Sequence, residues 1–233
     1  MVLNKFPVNP EHFILATKEF KHQTDMLEES DFLAAWKCLQ GYKEAGEELF
    51  GFFNSGEYSG ASQPHRHIQF LPVESMRGGI EDSKSWGLLL DRMEAKPILP
   101  FQYFAHGLPK DPSPEFLADL YRTLLARVSA LVPKHLPDAL MKPTRGNETK
   151  FSYNLGLTDR MMVLCPRLSE GIKIKCKAGD MIGPIALNGT VLGGTLLAKT
   201  EEEWDALRSD ESKLHEVLQS IGMPQKSAEE GRL

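Results

Sequence analysis

Residues 60–69 read GASQPHRHIQ, a turn of small residues followed by two histidines and a glutamine at every second position. A period of two is the repeat of a β-strand, because successive side chains leave a strand on opposite faces. His65, His67 and Gln69 are therefore expected to project together, with Arg66, Ile68 and Phe70 on the other side. Three polar groups on one strand face make a poor wall for an apolar core, since each one buried without a partner costs about 1–3 kcal/mol. Two readings stand at this point. The stretch is either the solvent-facing side of an edge strand or a set of groups converging on one substrate atom.

The surrounding chain supplies the rest of a sheet and its cover. Phe13 to Thr17 reads as a strand entered through two prolines. From Ser30, taken as the cap, apolar groups at Phe32, Leu33, Trp36, Leu39 and Tyr42 recur at helical spacing. Leu49 to Phe53 is short, aromatic and bounded by glycines, as strands are. The stretch from Glu74 to Phe101 is mixed and is expected to be a mobile loop or insertion. Ser113 and Pro114 start a second amphipathic helix. Candidate strands follow at Phe151–Leu155, Met161–Cys165, Ile172–Cys176 and Val191–Ala198. A capping box beginning at Thr200 and a helix from Ser212 to Ile221 precede a polar tail after Pro224. The pattern predicts an α+β class with a mostly antiparallel sheet and flanking helices. It divides into an N-terminal half at 1–74, a connecting loop and helix at 75–145, and a C-terminal segment at 146–233, all within one compact domain.

Composition narrows the function classes. A net charge of −5 argues against a nucleic-acid or membrane-surface binder, which needs a basic face. Three scattered cysteines, Cys38, Cys165 and Cys176, fit a reduced interior better than a disulfide framework, and no zinc-type spacing is present. Neither a signal peptide nor a long apolar span is evident, so cytoplasm, or the nucleus as well, is the expected location.

The turn before the histidines bears on their chemistry. Gly60, Ala61 and Ser62 expose main-chain N–H groups that can face an anion, and Ser62 and Gln63 add side-chain donors. Asn54, just upstream in FFNSGEYSG, is placed to bind a phosphate oxygen or hold the turn. A neutral imidazole beside such a nest can attack a phosphorus whose oxygens are held by those donors. The other histidines, His12, His22, His106, His135 and His215, have no partner at ligand spacing and read as surface or loop residues. Lys142, Arg145 and Lys150 read as a solvated basic run.

The segment N-x(5)-GASQPHRHIQ resembles the active-site stretch of the histidine-triad superfamily in its HxHxQ form. Together with NKFPVNPEHFILATKEF, FSYNLGLTDRMMVLCPR and GPIALNGTVLGGTLLAKTEEE, it makes the chain similar to the fungal diadenosine tetraphosphate phosphorylases, or ATP adenylyltransferases. The resemblance implies a HIT-like fold and a nucleotidyltransferase that cleaves the dinucleotide with phosphate to ADP and ATP. It implies that His67 is the nucleophile, that His65 orients it or the phosphates, and that Gln69 bonds the phosphate in place of a third histidine. Asn54 with Gly60, Ala61, Ser62 and Gln63 would cradle the α-phosphate. Asn4 and Lys5 would contact substrate. Asn188, Gly189, Thr190, Thr195 and Lys199 would line a second substrate-binding strand, with Lys199 the counter-charge to distal phosphates. The implied partners are a dinucleoside polyphosphate, ATP, ADP and phosphate, with neither nucleic acid nor membrane, on a monomer or weak homodimer. No cofactor or protein-held metal is implied, except that Mg2+ can accompany the nucleotide. Gly189 stands where the resemblance suggests a serine, so weaker substrate contact is expected there. Longer family members carry an additional N-terminal region that helps wall the nucleotide site, ahead of the segment where this chain starts. Two alternatives follow: a nucleotide-binding protein without useful catalysis, and a hexose-1-phosphate uridylyltransferase-like enzyme, in which Arg66 would stand where that family has proline.

Overall fold

The structure, a computed structural model, describes residues 1–5, 7–79, 85–95, 98–135 and 146–225. The N-terminal half gives strands β1 (Val2–Leu3) and β2 (Phe13–Ala16), helix α1 (Glu29–Glu44), strands β3 (Leu49–Ser55) and β4 (His67–Pro72), and a single helical turn, α2 (Val73–Met76). Strand β5 (Phe104–Gly107) and helix α3 (Pro114–His135) follow, then strands β6 (Ser152–Leu157) and β7 (Met161–Arg167). A hairpin of β8 (Gly171–Lys175) and β9 (Met181–Ala186) leads to α4 (Thr190–Gly193), α5 (Glu201–Ser209) and α6 (Glu211–Ile221).

Seven of these strands form one antiparallel sheet in the order β1-β2-β4-β3-β6-β7-β5. It takes strands from all three sequence segments. Alternation along each strand then divides the core in two. Phe13, Ile68, Phe70, Phe53, Leu155 and Leu164 face α1 and α3 on one side. Phe50, Phe52, Leu71, Met161 and Val163 face the β8–β9 hairpin, α4 and α6 on the other. Phe50 and Phe70 are fully buried on opposite faces of adjacent strands, each contributing roughly 1.5–3 kcal/mol relative to exposure.

The helices begin where their caps dictate. Ser113 Oγ accepts from the Phe116 N–H ahead of α3, and Thr200 Oγ1 accepts from the Glu203 N–H ahead of α5. Helix α1 differs from expectation: its cap is Glu28, whose N–H donates to Asp31 Oδ2 at 2.8 Å, so Ser30 lies inside the first turn. The 74–101 stretch also departs from a loose insertion where it is described. Leu88, Leu90, Met93, Leu99 and Phe101 are buried in the second core, with a 3-10 turn at Leu89–Arg92. The expected strand Val191–Ala198 is absent. Asn188 Oδ1 accepts from both the N–H and the hydroxyl of Thr190, which curls the chain into α4, and Gly194 in the left-handed region ends it. Lys142 and Arg145 lie outside the described residues, as does the tail beyond Gln225.

Candidate active site

His67 opens β4 and is buried to 8% exposure, on the face shared by Gln69 and Phe52. Its Nδ1 lies 2.8 Å from the main-chain carbonyl of His65. A carbonyl oxygen only accepts, so Nδ1 carries the hydrogen and Nε2 of the neutral ring keeps its lone pair. Burial pushes the pKa of His67 below the ordinary 6.5; the bond to the His65 carbonyl opposes this and the nearby His65 ring adds to it. His65 meets His67 through its main chain. Its own ring is turned away, with Nε2 2.9 Å from Thr17 Oγ1 and 3.2 Å from the Glu19 carbonyl.

Asn54 and His67 sit opposite each other where the β3–β4 ladder ends, two residues beyond the Phe52–Gln69 pair. The buried side chain of Gln23 fills the gap between them. Its Nε2 donates to the Asn54 carbonyl at 2.8 Å and to the His67 carbonyl at 3.2 Å, and its Oε1 accepts from the His67 N–H at 2.8 Å. Sequence reasoning misses Gln23, because a single glutamine in an irregular segment carries no periodic or motif signal. Behind the motif strand, buried Arg66 donates to Glu28 and Asp31 and lies 3.6 Å from Asp25. The neighbour between the two histidines thus anchors the strand to the start of α1.

The side chain of Asn54 is held from one side only. Its Oδ1 accepts from the Gly189 N–H at 2.9 Å and from Asn154 Nδ2 at 2.8 Å, while its buried Nδ2 has no acceptor among the described residues. Asn154 is the cross-strand partner of Asn54 and also donates to the Ser59 carbonyl at 2.8 Å. Its Oδ1 accepts from Arg167 Nη1. Arg167 is itself buried, and burial lowers its pKa to about 10.

Two glycines allow close packing between the segment after β9 and the strands and turn beside it. Gly60 has φ +75°, and a Cβ there would lie 2.8 Å from Asn188 Cβ and 2.9 Å from the Leu187 carbonyl. Among the described residues, the N–H groups of Ala61, Ser62 and Gln63 donate to no group of the protein. Gly189 has ordinary helical angles, φ −60° and ψ −14°, so its constraint is space: a Cβ would lie 2.8 Å from Asn54 Oδ1 and 2.9 Å from Phe52 Cδ2.

The other residues singled out from the sequence lie on neighbouring segments. Thr190 and Thr195 exchange hydroxyl-to-carbonyl bonds, both 3.4 Å, which closes the loop around α4. Lys199 stands four residues on, its main-chain N–H donating to Glu203 Oε2. At the opposite edge Asn4 Nδ2 donates to His12 Nδ1 at 2.9 Å, with Lys5 next in the chain. His12, read from sequence as a surface or loop residue, does lie in the connection ahead of β2, but it is half-buried there, beside the site. Burial lowers its pKa, Gln69 opposes the shift and His67 adds to it. Among the described residues no group of three or more His, Cys, Asp or Glu is placed to hold a metal ion, and no helix is long and apolar enough to cross a membrane.

The comparisons with known proteins cover both halves of the chain. Residues 97–224 match the ATP adenylyltransferase C-terminal domain, and residues 1–81 match the Ap4A phosphorylase N-terminal domain. Protein APA1 of Saccharomyces cerevisiae is 29% identical over 240 residues, covering 98% of this chain and 70% of that protein. Diadenosine 5',5'''-P1,P4-tetraphosphate phosphorylase 2 of the same yeast is 29% identical over 239 residues, covering 96% and 69%. The crystal structure of yeast Ap4A phosphorylase Apa2 in complex with Ap4A is similar with a TM-score of 0.72 at 25% identity, over 97% of this chain and 73% of that one.

Proposed function

The chain belongs to the ATP adenylyltransferase and Ap4A phosphorylase family, and from that premise we propose that it cleaves diadenosine tetraphosphate with inorganic phosphate to ADP and ATP through a nucleotidyl group carried on His67. It is a nucleotidyltransferase acting on nucleotides. The observation that carries the role of His67 is its tautomer. With Nδ1–H bonded to the His65 carbonyl, Nε2 holds a lone pair, and the lowered pKa keeps the ring neutral at pH 7.

In the first step Nε2 of His67 attacks the α-phosphorus, the bond to the bridging oxygen breaks, and ATP leaves with that electron pair. An oxygen of inorganic phosphate then attacks the same phosphorus, the P–N bond breaks, and ADP leaves with His67 restored. While the AMP group is attached the imidazole is positive, and the His65 carbonyl facing Nδ1–H favours that charge. Asn54 Nδ2, the N–H groups of Ala61 to Gln63 and the Gln69 amide would hold the phosphoryl oxygens, so that positioning and electrostatics carry the reaction. Asn4, Lys5, Asn188, Gly189, Thr190, Thr195 and Lys199 would contact the rest of the nucleotide.

Incubation with diadenosine tetraphosphate and phosphate should release ADP and ATP in equal amounts, and mass spectrometry should find AMP on His67. His67→Ala should remove both signals. Absence of products from folded wild-type protein, or an active His67→Ala variant, would overturn the proposal. A nucleotide binder without turnover would bind AMP and show no adduct, so the mass measurement separates the two.

A further inference from the structure

Two buried polar groups at the site stand out: the Nδ2 of Asn54, which has no acceptor among the described residues, and the Arg167 guanidinium, which is bonded to uncharged acceptors and to no carboxylate among them. They are linked. Arg167 Nη1 donates to Asn154 Oδ1, Asn154 Nδ2 donates to Asn54 Oδ1, and the Gly189 N–H donates to the same oxygen.

A side-chain amide can be turned by 180° at little steric cost, exchanging its oxygen and nitrogen. Here the direction is fixed by elimination. Arg167 has only donors, so the oxygen of Asn154 must face it and the nitrogen must face Asn54. The oxygen of Asn54 must then face Asn154 and Gly189. Its Nδ2 is consequently presented as a donor on the sheet face that carries His67. Turning Asn54 over would set two nitrogens against each other on one side and a nitrogen against the Gly189 N–H on the other. The remaining bonds of Arg167, to the carbonyls of Ser169, Glu170, Leu187 and Ile221, hold the start of this chain rigidly.

We infer that Arg167 and Asn154 are positioning residues for the transfer reaction, locking the amide of Asn54 with Nδ2 turned toward the α-phosphate. This deepens, and rests on, the assignment of the reaction to His67. Neither residue touches substrate; each acts through Asn54.

Arg167 is too embedded to be the test, because its removal would orphan several carbonyls at once. Asn154→Asp is the informative change. The carboxylate still accepts from Arg167, now as an ion pair, but it has no donor for Asn54 or for the Ser59 carbonyl. Activity on diadenosine tetraphosphate and binding of AMP are measured in wild type, Asn154→Asp, Asn54→Ala and the double variant, with thermal unfolding as the check on folding. The expected result is a fall of about tenfold to a hundredfold in kcat/KM for Asn154→Asp, but of less than about threefold when the same change is made in the Asn54→Ala background, since a residue acting through another loses its effect when that other is gone. AMP binding should show the same pattern. Equal losses in both backgrounds, or full activity and AMP affinity of Asn154→Asp, would overturn the inference. A wild-type protein that fails to split the dinucleotide would refute the reaction instead, and the AMP-binding cycle would then decide the positioning role alone.

Discussion

Gly189 gives the sharpest contest between sequence resemblance and structure. The resemblance suggests serine at this position and, with it, an added hydroxyl contact that strengthens substrate binding. The structure indicates the opposite for Gly189→Ser. A Cβ would sit 2.8 Å from Asn54 Oδ1, where ordinary contact begins at 3.4 Å, so about 0.6 Å must be found. The second obstacle, Phe52 Cδ2 at 2.9 Å, is an aromatic ring at 2% exposure with little room to retreat. The side chain that gives way is therefore Asn54, and the Gly189 N–H bond to its oxygen lengthens or breaks. Overpacking of this kind costs about 1–3 kcal/mol. At about 2–4 °C per kcal/mol for a chain of this size, the melting temperature should fall by roughly 2–12 °C. Displacing a phosphate donor by half an ångström or more should lower kcat/KM by about tenfold to a hundredfold. Differential scanning calorimetry and steady-state turnover of diadenosine tetraphosphate measure the two effects. Unchanged melting together with tighter substrate binding would refute the reasoning and show that the added hydroxyl contact outweighs the crowding.

Two further expectations concern His67. Its lowered pKa means that its neutral form predominates from pH 6.5 upward, so kcat/KM should rise with pH along an acid limb whose apparent pKa lies below 6.5; a limb at or above that value would exclude a buried neutral nucleophile. The sign for stability is the same: below pH 6.5 the unfolded ring takes a proton before the folded one, so urea midpoints should fall with pH there and be flat with respect to this group above it. Gln23→Ala removes the amide that joins Asn54 to His67 and orphans the His67 N–H, which should cost about 2–4 kcal/mol in urea unfolding. It should also reduce kcat more than it raises KM; a stable variant with normal kcat would show that the gap between β3 and β4 needs no bridge.

Much of the fold can be read from the chain because its signals are local. Ser113 and Pro114 start α3, Thr200 caps α5, and short apolar or aromatic runs between turn residues mark β3, β6 and β7. The α+β class and the HIT-like architecture follow from these and from the resemblance, which the similarity to Apa2 supports. Expectation fails at Val191–Ala198, where apolar, β-branched residues suggest a strand. There a single Asn188 side chain, bonded to Thr190, outweighs the propensity of the residues after it. His12 escapes a reading by sequence for a related reason. Its burial depends on β2 pairing with β4, which places it beside Gln69 although the two lie far apart in the chain.

What sequence could not supply is the difference between two buried arginines. Arg66 and Arg167 both flank the site, both are almost fully buried, and both look alike as letters in a strand. Arg66 lies on the α1 side of the sheet among Asp25, Glu28 and Asp31, so its charge is neutralised where it stands and its work is to fasten β4 to the helix. Among the described residues, Arg167 bonds only to uncharged oxygens, the side-chain amide of Asn154 and the carbonyls of Ser169, Glu170, Leu187 and Ile221. With a pKa of about 10 it keeps its charge at pH 7. Its nearest path outward runs through two asparagine dipoles aligned with it, Asn154 and then Asn54, and each turns its positive end toward the place where a phosphate would sit. In the proposed reaction the α-phosphate would meet neutral donors, held in place by a charged group one layer behind them.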